Sequence, residues 1–200
     1  MNRIAPLSPP YSAALADRFA KLLPPGMTPP VLFRAVARNE PLFNHMVDTG
    51  LLGPTGLMDR RTLPAALREA LILRTCVAWK NHYEWQLHVG TIARRMGLTD
   101  AQIADTRHAR PDPALWPAQT FVLFELVDAL VQRHAVDDAL FAKLREVADE
   151  ALLIEVTQLV GLYSGIGMLC ALIQPEADPY GAALPMDESP GAEEKCEASR

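Results

Sequence analysis

The stretch from Glu69 to His88 constrains the fold more than any other part of the chain. It sets Glu69, His82, Tyr83, Glu84 and His88, all capable of proton chemistry, into an otherwise apolar, helix-forming run. Leu67, Ala70, Leu71, Leu73, Arg74, Val77 and Ala78 carry a helical period to about Lys80. Asn81 then interrupts the run as a good N-cap, because its side-chain oxygen can accept from the free N–H groups of a new first turn. A second helix continues to Met96, and Gly97 is a natural residue to end it. The spacing predicts two helices meeting at Asn81. Glu84 and His88 are four apart and share a helical face, which places a carboxylate–imidazole pair at the junction.

The same punctuation recurs along the chain. A short amphipathic helix is expected from Tyr11 to Leu23, ended by Pro24-Pro25-Gly26. Thr28 followed by Pro29-Pro30 opens a helix to about Asn39, Pro41 starts another, and Gly50, Gly53, Pro54 and Gly56 break it. Thr99 to Gln102 reads as a capping box. Helices follow over Trp116–Arg133, from Val136-Asp137 onward, and over about Asp149–Ile173, where Pro175 stops the last. No run sustains the alternation of a strand. The fold expected is all-α, with about eight to nine helices. It divides into an N-terminal arm with a short helix (1–27), a helical domain (28–175) and a polar C-terminal tail (176–200), read as disordered or as an arm on a neighbour.

Composition narrows the function classes. Half of the 200 residues are hydrophobic and 22% are charged, which suits one globular domain plus arms. A net charge of −5, with no basic stripe, argues against nucleic acid as a partner. Three scattered cysteines, Cys76, Cys170 and Cys196, with no CxxC pair, fit a reduced cytoplasmic protein without a disulfide framework. Prolines arrive before any apolar signal core can form, so no secretory signal is expected. Val156 to Pro175 is uncharged, yet it contains Thr157, Gln158, Ser164 and three glycines and lacks a basic flank. It reads as a core or subunit-interface helix, and a membrane is not expected as a partner.

A carboxylate beside an imidazole raises the histidine pKa and fixes its tautomer, as a general acid or base requires. Each candidate also has a plainer reading. Asn81 and Glu84 have capping-box spacing, and a first-turn glutamate is favourable in itself. His88 lies among Trp85, Leu87, Val89 and Ile92, as a core histidine would. Glu69 can pair at the surface with Arg68 or Arg74, or face the junction. No metal is expected: His82 and His88 are six apart and face different ways, unlike the paired histidines of HExxH, and no cysteine completes a set. Cys76 has apolar neighbours that favour inert packing. Gly161, Gly165 and Gly167 match no phosphate loop and read as places where helices approach closely.

Taken together, Arg68-Glu69-x-x-Ile72-Leu73, Tyr83-Glu84-Trp85-x-x-His88 and Gly97-Leu98-Thr99 with Ile103 resemble the carboxymuconolactone decarboxylase / alkylhydroperoxidase D-like superfamily. The motifs cover roughly residues 63–104, and looser similarity runs from about 28 to 174. In the peroxidase branch a glutamate precedes a CxxC pair and a histidine. Glu69 and His88 match the glutamate and histidine, while Asn81 and Glu84 stand where the cysteines would be. Dithiol chemistry needs both thiols, so the resemblance is to the branch lacking the pair.

That branch implies a cofactor-independent lyase or isomerase acting on a small carboxylated lactone or keto acid of aromatic catabolism. His88 would be the acid/base, Glu84 its orienting group and Glu69 the end of a proton relay. Asn81, Tyr83, Trp85 and Arg74 are the substrate-binding candidates, Arg74 for a carboxylate. The resemblance further implies an all-helical homo-oligomer, trimer or hexamer. A thiol-dependent peroxidase using Cys76 and a non-enzymatic helical binding protein are the alternatives.

Overall fold

The computed structural model describes residues 2–52 and 62–181. Its centre is α4 (Ala65–Ala78), in which every residue from Leu67 to Cys76 is buried. A helix this apolar needs cover on all sides. It is packed by α5 (His82–Thr91), α7 (Ala118–Asp128) and α9 (Glu150–Ile173). The other α-helices are α1 (Ala13–Leu22), α2 (Val31–Val36), α3 (Glu40–Asp48), α6 (Asp100–Asp105) and α8 (Asp138–Val147). No strand occurs among the described residues, and the architecture is all-α as expected.

Most predicted boundaries fall where the polar caps are. Thr99 and Gln102 form a reciprocal capping box, and Gly97 closes the short 3₁₀ turn Ala93–Met96 in the left-handed region at φ +97°. Asp137 and Asp149 accept from Leu140 N and Leu152 N, both at 2.8 Å. The helix after Thr28 is shorter than the spacing predicts. It begins at Val31, because Pro30 keeps the entering chain extended, and it ends at Val36, because Asn39 caps the next helix by accepting from Leu42 N at 3.2 Å. The breaks expected at Gly53, Pro54 and Gly56 lie outside the described residues. So do residues 182–200 of the expected tail, including Cys196.

Two apolar clusters share α9. One gathers α4, α5, α7, α8 and the first half of α9. The other gathers α1, α2, α3, Tyr83 and the C-terminal half of α9 through Ile166, Cys170 and Ile173. The segment expected as an arm is, from residue 2 onward, part of this second cluster. Leu15 and Phe19 are buried, the Phe19 and Phe43 rings lie 5.4 Å apart, and Arg3 N donates to Ile173 O at 2.8 Å. Residues 176–181, the described part of the expected tail, lie on the chain's own body. Asp178 is buried and accepts from Val31 N at 3.1 Å and from the Tyr83 hydroxyl at 2.5 Å. The carboxylate therefore caps α2, whose own cap residue is a proline.

Helix α9 is long and apolar enough to cross a membrane by length and composition, and 44% of its most apolar window is buried against the fold. Gly167 is one reason it packs so closely. A Cβ there would stand 3.0 Å from the Trp79 ring, whereas none would touch anything within 4 Å at Gly161 or Gly165.

Candidate active site

The turn between α4 and α5 creates the site. Lys80 adopts the left-handed region at φ +54°, Lys80 N donates to Val77 O, and Asn81 N donates to Cys76 O at 2.8 Å. These two bonds close α4 in a Schellman motif. They also occupy the Asn81 N–H that a glutamate in a capping box would bind. Asn81 still caps α5, its Oδ1 accepting from Glu84 N at 3.2 Å. The reciprocal bond from the Glu84 carboxylate is not made. Half a capping box thus leaves the Glu84 side chain available to His88, one turn further on.

His88 is almost completely buried and sits between two acids. Its Nδ1 lies 2.9 Å from Glu69 Oε1, and its Nε2 lies 3.5 Å from Glu84 Oε1 and 3.4 Å from the Tyr163 hydroxyl of α9. Glu69 faces the junction and has no exposed surface. It, rather than Glu84, makes the short contact that orients the ring; Glu84 stands with Tyr163 on the other side. Burial disfavours the imidazolium, but the charges and hydrogen bonds of Glu69 and Glu84 outweigh it and push the His88 pKa from 6.5 up to about 10. The pKa of Tyr163 is raised as well, with the opposite consequence for charge. Burial, then Glu84 and Glu69, push its hydroxyl well above the ordinary tyrosine value, so it remains a neutral hydrogen-bonding group. One oxygen of each acid, Glu69 Oε2 and Glu84 Oε2, is buried with no hydrogen-bond partner among the described residues. Such orphans are uncommon in a settled structural network.

These groups open onto a cavity of about 650 Å³. Arg68, Glu69 and Ile72 reach it from α4, Glu84, Leu87 and His88 from α5, and Tyr163 and Ile166 from α9. The remaining wall comes from the end of α1 and the α1–α2 connection, from Leu32 and Phe33 of α2, from Leu52, from Gly90 to Ile92 with Arg95 and Met96, and from Tyr180, whose hydroxyl donates to Thr28 O at 3.0 Å.

The three expected proton-transfer residues are therefore brought together, but the expected substrate-binding residues are not among those lining this cavity. Arg74 is on the far side of α4. Its Nε donates to Asp128 at 2.8 Å, its Nη2 makes a second bond to the same carboxylate, and its Nη1 donates to the carbonyls of Thr106 (3.1 Å) and His108 (2.6 Å). A guanidinium so committed ties α4 to α7 and to the chain after α6. Trp85 is a core residue whose Nε1 donates to Thr106 Oγ1 at 3.2 Å. The Tyr83 hydroxyl is spent on Asp178 and on Leu32 N. Asn81 is a buried cap. The cations in the cavity wall are Arg68 and Arg95, and Tyr163 is the site residue that local spacing could not find.

The thiols lie elsewhere. Cys76 is buried, and burial followed by the charges of Glu84 and Glu69 raises its pKa well above the usual thiol range; burial likewise pushes Cys170 up to about 12. Neither lines the cavity. Among the described residues no group of three or more His, Cys, Asp or Glu side chains is arranged to hold a metal ion.

An all-helical chain with a Glu–His–Glu cluster at a helix junction and no CxxC pair defines the class. Residues 54–129 match the sequence model of the Carboxymuconolactone decarboxylase family. The fold matches the crystal structure of a protein of unknown function from Agrobacterium tumefaciens, described as a candidate antioxidant defence protein AhpD. The TM-score is 0.62 at 16% identity, over 72% of this chain and 95% of that one. No curated protein matches the sequence. The chain is thus similar to the Carboxymuconolactone decarboxylase family over residues 54–129, and it shares the all-helical fold of that structure.

Proposed function

We propose that the protein is a cofactor-independent lyase or isomerase that moves protons on a carboxylated lactone or keto acid, at a site formed by His88, Glu69 and Glu84. The observation that carries this reading is the buried histidine held between two acids, each with a spare oxygen, at the wall of a cavity large enough for a substrate. Glu69 fixes the ring through Nδ1. His88, protonated at neutral pH, supplies positive charge on its Nε2 side. Loss of CO₂ from such a substrate leaves the bonding electron pair on carbon, delocalised into the adjacent carbonyl as an enolate. An imidazolium stabilises that charge as it develops, and a proton delivered from the His88–Glu84 pair completes the product. Arg95 in the cavity wall supplies positive charge for a substrate carboxylate. An isomerase would use the same proton transfer without losing carbon.

The thiol-dependent alternative draws no support from Cys76 or Cys170, since a buried thiol with a raised pKa supplies little thiolate at neutral pH. The test is turnover of a panel of β-keto acids and γ-lactone carboxylates, followed by CO₂ release and ultraviolet absorbance. His88→Ala and Glu84→Gln are expected to lower the rate by about 100-fold or more on any accepted substrate. Unchanged turnover in both variants would reject the assigned roles. Peroxide consumption that disappears in Cys76→Ser would establish the thiol reading instead.

A further inference from the structure

We propose that residues 176–181 form a lid at the rim of the cavity, held shut by a latch between Asp178 and Tyr83, and that molecules enter and leave past Tyr180 when the latch opens. This rests on the geometry of the cavity and the strap, not on the reaction proposed for the site.

The chain leaves α9 through Gln174, in the left-handed region at φ +48°, and Pro175 keeps the helix from resuming. The strap that follows is pinned at three points. Glu176 N donates to Asn2 Oδ1 at 2.8 Å, and Asn2 Nδ2 donates to the Glu176 carboxylate at 3.3 Å. The two oxygens of Asp178 lie 3.1 and 3.2 Å from Val31 N, and one of them accepts from the Tyr83 hydroxyl at 2.5 Å. The Tyr180 hydroxyl donates to Thr28 O, and Gly181 N returns to Asp178 O at 2.9 Å, so Asp178 and Tyr180 belong to one turn. Glu176, Ala177 and Pro179 are exposed, while Asp178 between them is buried. One carboxylate thus draws a surface strap onto the body. The bonds that hold it are polar, and a surface segment fastened in this way opens locally at a smaller cost than unfolding of the core.

The strap lies where the cavity meets the surface. Glu69, Ile72 and His88 are buried at the inner end of the lining, whereas Pro24, Met27 and Tyr180 are exposed or half-buried at its rim. Tyr180 is joined through Thr28 O to the α1–α2 connection, which brings Pro24, Met27 and Pro30 to the same wall. Asp178 also fixes, at Val31 N, the point where that connection enters α2. Releasing Asp178 therefore frees both parts of this wall together. The proton-transfer groups stand on α4, α5 and α9, which pack on one another, so the wall that moves is separate from the wall that works. Tyr83 links the two. It immediately precedes Glu84 on α5, and its hydroxyl accepts from Leu32 N at 3.1 Å while donating to Asp178. Neither Tyr83 nor Asp178 lines the cavity; both are positioning residues.

The test is alkylation of a thiol placed on the inner wall. Ile72→Cys supplies the reporter, and its reaction with N-ethylmaleimide in the full chain is followed by peptide mass spectrometry, which separates it from the native cysteines. Cys76 is the internal control, since it is buried one turn along α4 and does not line the cavity. With the latch intact, the reporter should react at least 100-fold more slowly than in the denatured chain. Adding Tyr83→Phe, which keeps the ring and removes the bond to the carboxylate, should raise that rate about tenfold or more. Asp178→Ala should raise it at least as far, and combining the two should add nothing further, because both open one latch. Cys76 should react no faster in any of them. A reporter that reacts as fast as in the denatured chain, or one indifferent to both latch variants, would overturn the lid. So would a parallel acceleration at Cys76, which would mean that the substitutions loosen the core and not the strap. No reading here depends on turnover, so the lid and the proposed reaction can fail separately.

Discussion

Glu69 and Arg74 stand five residues apart on α4 and are both buried, yet they keep charge inside the protein in opposite ways. Arg74 is saturated. Its nitrogens are taken up by the Asp128 carboxylate and by the carbonyls of Thr106, His108 and Ala109. Glu69 is bonded through one oxygen to His88, and its second oxygen is without a partner among the described residues, as is one oxygen of Glu84. An unmet buried polar atom costs about 1–3 kcal/mol. The Arg74 cluster avoids that cost and the Glu69 cluster does not, although the same helix carries both. Residue type does not distinguish a structural ion pair from a working site; the completeness of its bonding and its access to a cavity do.

The largest expected effect lies on the structural side. Arg74→Met leaves Asp128 and three carbonyls without their cation, and should cost about 3–5 kcal/mol. By thermal melting this is a fall of roughly 6–20 °C for a chain of this size. Turnover by the folded fraction at low temperature should be preserved.

Glu69→Gln is the mirror experiment. It should lower turnover by about 100-fold or more even in the folded fraction at low temperature, where Arg74→Met spares it. If Glu69→Gln unfolds the protein as readily as Arg74→Met and spares activity, the contrast between the two clusters is lost.

The acids also leave a pH signature. The folded-state pKa of His88 is raised from 6.5 to about 10. A raised value means that the stabilisation is complete below about 6.5 and disappears as pH climbs through about 10. Denaturant titrations of the wild type should show declining stability across that interval, and the decline should be shallower in Glu69→Gln. A rise in wild-type stability over the same interval would mean that His88 is held neutral.

Much of this division was legible in the sequence. Asn81, Thr99 with Gln102, and Gly97 mark boundaries by local hydrogen bonding, which needs no tertiary partner. Glu84 and His88 declare themselves as neighbours by their spacing. The position of Arg74 was also computable: at about 100° per residue, five residues place it roughly 140° around α4 from Glu69, while Arg68 and Ile72 share the cavity-facing arc. Tyr163 was not legible as a partner of His88, because 75 residues separate them and only the packing of α9 on α4 and α5 joins them. The docking of residues 176–181 was not legible for a related reason. Composition registers residues 176–181 as polar and proline-flanked, but it cannot register that one carboxylate, Asp178, meets the uncapped N-terminus of α2.

Tyr163→Phe tests the tertiary part of the site. Removing the hydroxyl 3.4 Å from His88 Nε2 leaves the ring packing in place, so stability should change by less than about 1 kcal/mol. Turnover should fall about tenfold or somewhat more, the loss of one hydrogen bond to the charged His88 ring, worth about 1.5 kcal/mol at least. An unchanged rate would reduce Tyr163 to packing and confine the working groups to α4 and α5.

Gly167→Ala produces the smallest effect and asks how far the site depends on the scaffold. Its new methyl would stand 3.0 Å from the Trp79 ring, and that ring is fixed because its Nε1 donates to Ser164 Oγ at 2.7 Å. Overpacking of this kind costs about 1 kcal/mol or somewhat more, while Gly161→Ala and Gly165→Ala meet open space and should stabilise α9 by up to about 1 kcal/mol. The informative measurement is turnover beside stability. Helix α9 carries Tyr163 one turn before Gly167, so displacing it from α4 lengthens the Tyr163–His88 contact. Gly167→Ala should therefore reproduce a fraction of the Tyr163→Phe rate loss, and the double variant should lose no more than Tyr163→Phe alone. Additive losses would mean that the α4–α9 contact supports the His88 cluster by a route other than Tyr163.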